Sequence, residues 1–355
     1  MPKALVLRPG HAIGDAVFIT PVPRLLTEQG YTVDLACMEH NFEVFANNPF
    51  INELIKMPHA DKLAEWTKEF EEKRATYDKI YSMAGHIEVG LLYRTDADWG
   101  TIPDGMERRE KAKDLSYQDH ILAQVGIEAK GLLPEFYFTK VEQEKLDILK
   151  EQKAINKEKL VLWQWQGSSK SKDMVFAPLY LKEILKKMPH SVHYIFAQDP
   201  NWRGQIPDHP NVHDAWGKSG IRESIMLSEV ADLVVGPESF LVNAAGAFDT
   251  PKVIFFSHSA PENLAKYYKN CYAVVPNKDV TCHPCYLIHV DFRRVFHPEK
   301  RAIAREYERN CQTYAPNYPY RTTGYKCCFY LPHDKVVETI TNILKQKPNG
   351  KRKKK

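Results

Sequence analysis

The chain repeats one local pattern: a short apolar run, a turn carrying glycine, a helical stretch, then another short apolar run. Ala4-Leu5-Val6-Leu7-Arg8 leads through Pro9-Gly10 and His11-Ala12-Ile13-Gly14-Asp15 into Ala16-Val17-Phe18-Ile19-Thr20, which reads as strand, turn and helix. Tyr31 to Ala36 reads as the next strand, Phe42 to Ala46 as a helix and Ile51 to Met57 as a third strand. Lys62 to Arg74 is a charged helix with Leu63, Trp66 and Phe70 at helical spacing, and Tyr77 to Met83 returns as a strand. Alternation of this kind places strands side by side in a parallel sheet with helices on both faces.

A polar stretch with Pro103, Gly105 and clustered charges through Lys113 interrupts the pattern, and Gln118 to Val125 resumes it as a helix. Glu142 to Lys159 is rich in Lys and Glu and poor in large apolar side chains, as suits an exposed helix joining two domains. Leu160-Val161-Leu162-Trp163-Gln164-Trp165 opens a second alternating series, with strands near Val192 to Ala197, Leu233 to Val235 and Val253 to Phe256. The expected organisation is an α/β chain of two Rossmann-like parallel-sheet halves. Residues 1–155 form the first half, 156–333 the second, 334–346 a closing helix and 347–355 a disordered basic tail.

Charge and hydropathy exclude several functional classes. The formal net charge of +4 is set by the last nine residues, which hold Lys347, Lys351, Arg352, Lys353, Lys354 and Lys355. Taking those six from the 49 basic residues leaves 43 against 45 acidic ones, a net of −2. The body is therefore not a general polyanion binder, and only the tail offers weak contact with nucleic acid or an anionic membrane surface. The longest apolar runs, such as Ile254-Phe255-Phe256, fall far short of the roughly 18 residues of a membrane helix. The N-terminus runs straight into a strand, so a cytoplasmic protein, peripheral at most to the inner membrane face, is expected.

Three segments carry side chains suited to chemistry. Gly14-Asp15 opens the first helix beyond the carboxyl end of the first strand, where open α/β sheets bind ligands. There Asp15 is either a helix-capping carboxylate or a base facing an interdomain cleft, with Gly14 and His11 beside it. Gln166-Gly167-Ser168-Ser169-Lys170-Ser171-Lys172 follows the first strand of the second half and can offer N–H groups, hydroxyls and positive charge to a diphosphate. It lacks the spacing of a Walker A loop. In the third segment, an apolar strand from Ala231 runs into Gly236-Pro237, then Glu238 and Ser239 open a helix containing Phe240, Asn243, Ala244, Ala245 and Gly246. Glu238 and Ser239 are expected to cap that helix while presenting polar atoms to the cleft.

Together these segments resemble the family 9 glycosyltransferases, the heptosyltransferase-like group of the GT-B fold. Gly14, Asp15, Thr20 and Pro21 match the family's opening Gly-Asp and Thr-x-Pro; Ser168, Ser169 and Lys172 match its Ser/Thr-rich loop ending in Lys, with Phe176-Ala177-Pro178 where it has a Trp-Pro-like segment. Gly236 to Ala245 is similar to its Gly-Pro-Asp-Ser-Gly-x-x-His-x-Ala signature, and the order of motifs extends over about residues 3 to 345. The resemblance implies a GT-B fold of two Rossmann-like domains facing a cleft. It also implies transfer of a heptose-like sugar from a nucleotide-sugar such as ADP-heptose to a saccharide hydroxyl, as in lipopolysaccharide synthesis, without a cofactor or essential metal. Asp15 would be the general base; Lys172, Ser168 and Ser169 would hold the phosphates; Glu238, Ser239, Phe240 and Asn243 would contact the donor. Three departures from the signature, Asp to Glu238, Gly to Phe240 and His to Asn243, bear on the donor sugar.

Seven cysteines include Cys282-His283-Pro284-Cys285, Cys311 and Cys327-Cys328. Their spacing admits a structural zinc site built from Cys282, Cys285, Cys311 and Cys327 or Cys328, although the second pair is adjacent rather than x2-spaced. Free thiols suit a reducing cytoplasm better, so no metal is expected. His258, in Ser257-His258-Ser259, reads either as a surface histidine or as part of a loop near the donor phosphates. The expected partners are a nucleotide-sugar and a saccharide acceptor, acting on a monomer. Two other functions remain open at this point: a glycosyltransferase acting on a modified DNA base, motivated by the tail and the aromatic content, and a non-catalytic GT-B module binding saccharide or nucleotide. A nucleotide-sugar epimerase would share the fold and need no separate acceptor.

Overall fold

A computed structural model describes residues 1–8, 12–57, 72–83, 114–124, 126–156, 158–285, 312–314 and 323–346. The chain divides into two compact units, Met1–Glu144 with Pro261–Tyr268, and Lys145–Ala260 with Lys269–Lys355. His11, Cys311, most of the 62–74 segment, the 103–113 stretch and the basic tail lie outside the described residues; 72–74 are helical.

In the first unit, β1 (Lys3–Arg8) is followed by α1 (Ile13–Phe18) and α2 (Val22–Glu28), then β2 (Thr32–Met38), β3 (Glu53–Met57) and β4 (Lys79–Ser82). The four strands are all parallel and lie in the order β3-β2-β1-β4. Every residue of β1 after Lys3 is buried, because a parallel strand covered on both faces has no solvent side to fill with polar residues. Leu5, Leu7, Ala36, Met38 and Met57 form a core on the sheet. Arg8 is the one charged residue in the buried part of β1, and it sits at the carboxyl end.

Residues 261–268 return to this unit. Tyr267 donates its hydroxyl to Asp119 Oδ2 at 2.6 Å, and Asn263 donates to the Leu115 carbonyl at 2.8 Å. Leu264 and Tyr268 pack against Phe18 of α1 and Tyr117 of α3 (Tyr117–Gln124).

The charged helix α4 (Lys140–Asn156) leads into β5 (Leu160–Gln164), α5 (Ala177–Lys187), β6 (Val192–Phe196), β7 (Val212–Asp214), α6 (Ile221–Val230), β8 (Leu233–Pro237), α7 (Phe240–Ala245), β9 (Lys252–Phe255), β10 (Cys271–Val274) and α8 (His333–Lys345). Its six strands are parallel, in the order β10-β9-β8-β5-β6-β7. The chain starts in the middle at β5, builds outward to β7, then returns to the other side at β8. The reversal between β5 and β8 is the topological switch point, beyond whose carboxyl ends ligands of such sheets bind. The core packs α5 and α8 on the sheet around Trp163 and Trp165, both fully buried.

Trp163 needs a partner for its indole N–H, and finds it in a buried histidine. Its Nε1 donates to His193 Nδ1 at 3.0 Å; the opposite ring nitrogen lies 2.8 Å from the Ser191 hydroxyl, which donates to the Met188 carbonyl. That chain fixes the neutral tautomer with the proton on Nε2. Burial, then the nearby His209, pushes His193 down to about 3. The unfolded chain takes up this proton near pH 6.5 while the folded chain does not, so the contribution is intact above pH 6.5 and is lost as pH falls toward 3. Urea unfolding at pH 7.5 and pH 5 is expected to show stability falling by up to about 1.4 kcal/mol per pH unit below 6.5 from this group. His193→Gln is expected to flatten that slope.

Candidate active site

At the carboxyl end of β1, Arg8 is 2% exposed and donates through Nη1 to the Met83 carbonyl at 3.3 Å and through Nη2 to Asp15 Oδ2 at 2.9 Å. Burial lowers the Arg8 pKa, with Asp15 and then Cys37 offsetting it, and a guanidinium starts so high that it stays charged. Asp15 lies in the first turn of α1, whose N-cap is Ala12, and its side chain is 20% exposed. Asp15 is thus not the N-cap residue itself; its Oδ2 is anchored by a buried cation, and the side chain keeps access to solvent. Gly14 is half-buried beside it.

In the second unit, the loop after β5 is built around Lys172. Ser169 accepts from the Ser171 backbone N–H at 3.2 Å, capping the short 3-10 turn Lys170–Lys172, and the two hydroxyls lie 2.7 Å apart. Ser168 stays exposed. Lys172 is 8% exposed and donates through Nζ to the Glu238 carbonyl at 2.9 Å, joining the loop after β5 to the turn after β8 across the switch point. Gly167 makes this possible, since a Cβ there would stand 2.7 Å from both Cβ and Cδ of Lys172.

The Glu238 carboxylate is bound by the turn after β9. Its Oε1 accepts from the Ser257 backbone N–H at 3.2 Å and lies 3.5 Å from His258 Nδ1, and its Oε2 accepts a short hydrogen bond from the Ser259 hydroxyl. The residue is 4% exposed and His258 1%, so His258 is a buried part of the loop rather than a surface side chain. Nor does Ser239 cap α7: its hydroxyl donates to the Pro237 carbonyl at 3.1 Å, and the Leu241 N–H is taken by Gln164 Oε1 at 2.9 Å. Gln166 similarly accepts from the Asp199 N–H at 2.9 Å. Phe240 is half-buried at the start of α7 and Asn243 is buried within it. Arg8 and Gln164 were not assigned a role in the sequence; their contacts with Met83 and Leu241 join residues 75 and 77 positions apart, and no local pattern marks such pairs.

The adjacent cysteines border the same loop. Cys328 donates through Sγ to the Ser171 carbonyl at 3.0 Å, and a small cavity of about 20 Å³ is lined by Ser171, Lys172, Ser257, Cys327 and Cys328 among others. A hydrogen bond with Cys328, then burial, raises the Cys327 thiol well above its ordinary range, which keeps it protonated. Cys327 and Cys328 are not joined in a disulfide, and no group of three or more metal-ligating side chains occurs among the described residues.

No family profile matches the sequence, and no curated protein matches it. Solved structures do. A family 9 glycosyltransferase from Veillonella parvula DSM 2008 superposes with a TM-score of 0.61 at 13% identity, covering 97% of each chain. The ADP-heptose lipopolysaccharide heptosyltransferase II of E. coli gives 0.56 at 14% identity over 86% of this chain and 99% of that one. The fold is GT-B. E. coli heptosyltransferase WaaC with ADP gives 0.50 at 12% identity, covering 76% of this chain and 92% of its own. Within a GT-B chain, the Lys172 loop and the Pro237–Ser239 turn occupy the switch point of the second sheet, and Asp15 the end of the first strand of the other.

Gly167→Ala is expected to force Lys172 off the Glu238 carbonyl and cost about 1–3 kcal/mol, as overpacking does. Equilibrium urea unfolding measures the cost.

Proposed function

We propose that the protein is a glycosyltransferase that moves a heptose-like sugar from a nucleotide-sugar donor to a saccharide hydroxyl by inverting displacement. The observation that carries this reading is the lysine-bearing loop at the switch point of a GT-B sheet. There Lys172 uses one of its three N–H groups on Glu238, and the Ser169 and Ser171 hydroxyls stand two residues apart in the same turn. Cationic and hydroxyl donors set there suit a diphosphate whose charge grows as it leaves. The comparison structures named for ADP-heptose and ADP make an ADP-sugar the first donor to try.

In this reading, the Asp15 carboxylate accepts the proton of the acceptor hydroxyl as its oxygen bonds to the anomeric carbon. The carbon–oxygen bond to the diphosphate breaks, and the nucleotide diphosphate leaves with the electron pair. Arg8 holds the carboxylate in place. The second unit, with Ser168, Ser169, Lys172, Glu238, Ser239, Phe240 and Asn243, holds the donor, and the first holds the acceptor. Lys172 supplies the charge compensation for which other transferases use a metal. The setting proposed is a cytoplasmic monomer working on a lipopolysaccharide-type saccharide, with the 347–355 tail resting on an anionic membrane face. No helix among the described residues is long and apolar enough to cross a membrane.

A second reading, binding without transfer, draws on the Lys172 and Glu238 side chains being engaged within the protein. Lys172→Ala tests the nucleotide site common to both readings, and the transfer assay separates them. Lys172→Ala is expected to abolish thermal stabilisation by the preferred member of an ADP, UDP, GDP and CDP panel. Asp15→Asn is expected to leave nucleotide affinity unchanged and slow sugar transfer by about 10²–10⁴-fold. Binding with no transfer by the unaltered protein, across donor and acceptor panels, would favour the second reading.

A further inference from the structure

We infer that Trp216 is the platform on which the base of the donor nucleotide stacks; the inference rests on the nucleotide-binding reading of the second unit. Four of the chain's six tryptophans are described, and three of them, Trp163, Trp165 and Trp202, are at most 4% exposed. Trp216 is 41% exposed. Single apolar residues at a surface are ordinary, but this one stands on a turn built to hold it.

Arg203 donates through Nε to Asp214 Oδ2 at 2.8 Å, with Nη2 2.6 Å from the same oxygen. The other oxygen of Asp214 accepts from the Trp216 backbone N–H at 3.1 Å. Ala215, 2% exposed, extends the ladder to β6 by donating to the Ile195 carbonyl at 2.9 Å. Gly217 then turns the chain with φ +69°, a conformation that disfavours any side chain. The backbone that carries the indole is thus held in place before any ligand arrives, so little of it has to be ordered on binding.

Its location gives the ligand. Trp216 follows β7, so it lies at the carboxyl end of the parallel sheet, the end that carries Lys172 and Glu238. β7 is two strands from β5, a lateral offset of about 10 Å, which matches the separation of base and diphosphate in an extended nucleoside diphosphate. With the diphosphate on the Lys172 loop, a planar base reaches the indole. An aromatic face recognises the plane of a base and not its hydrogen-bonding edge, so this contact selects nucleotides over bare diphosphate without choosing among bases.

Calorimetric titration of the full chain and of Trp216→Ala and Trp216→Phe with ADP, UDP, GDP, CDP and inorganic pyrophosphate tests this. Trp216→Ala is expected to raise the Kd of the nucleoside diphosphates that bind by about 5- to 150-fold while shifting that of pyrophosphate less than about twofold. Trp216→Phe is expected to recover most of the loss. Nucleotide affinity unchanged in Trp216→Ala would overturn the assignment, as would an equal loss for pyrophosphate, which marks a disturbed loop. If the unaltered protein binds pyrophosphate but gains nothing from any base, the platform is refuted and the diphosphate site stands. If it binds neither, the nucleotide reading falls and the platform with it.

Discussion

A buried carboxylate organises the carboxyl end of the sheet in the second unit. Glu238 stands at the end of β8 with almost no contact with water, where an unsatisfied carboxylate would cost several kcal/mol. Its oxygens are satisfied by the Ser257 N–H and the Ser259 hydroxyl, which belong to the turn after β9, while its own carbonyl receives the Lys172 amine from the turn after β5. Three loops from three neighbouring strands are thus cross-linked through one residue. An aspartate, one methylene shorter, would have to draw the turn after β9 inward to make the same bonds.

The two units use one topology at two sizes. In both, the first strand is flanked by the second on one side and the fourth on the other, so the chain reverses direction across the sheet beside it. In both, a cationic side chain is buried near the end of that first strand and held by a partner: Arg8 by Asp15, Lys172 by the Glu238 carbonyl. They differ in what they leave accessible. The Arg8 pair keeps a carboxylate partly in water, whereas the Lys172 pair closes on a backbone oxygen.

The strands were legible because each is a compact apolar run bounded by glycine, proline or charge. Thr32–Met38, Leu160–Gln164 and Val192–Phe196 fall within two residues of where the pattern places them. The two edge strands of the second sheet were not placed: Val212–Asp214 has one apolar side chain and gives no periodicity to read, and Cys271–Val274 is four residues long with two of them exposed. The positions of Asp15 and Lys172 followed from their place after strands, but their partners did not. Arg8 reads locally as the end of a strand, and Gln164 as a polar residue between two tryptophans. The capping expected of Ser239 failed for the same reason: the N–H it would have served is met by Gln164, brought alongside only by the pairing of β5 with β8.

The excursion of residues 261–268 makes the units inseparable despite their separate cores. The chain leaves the second sheet directly after the Ser257–Ser259 turn, lays Leu264 and Tyr268 against Phe18 and Tyr117 of the first unit, and returns to form β10. A first half ending at Glu144 would lack part of its own surface, and a second half alone would carry a loop whose apolar side chains have nothing to cover. Exchanging either unit as a block with that of another GT-B protein has three junctions to match rather than one, because the continuous backbone passes between the units three times.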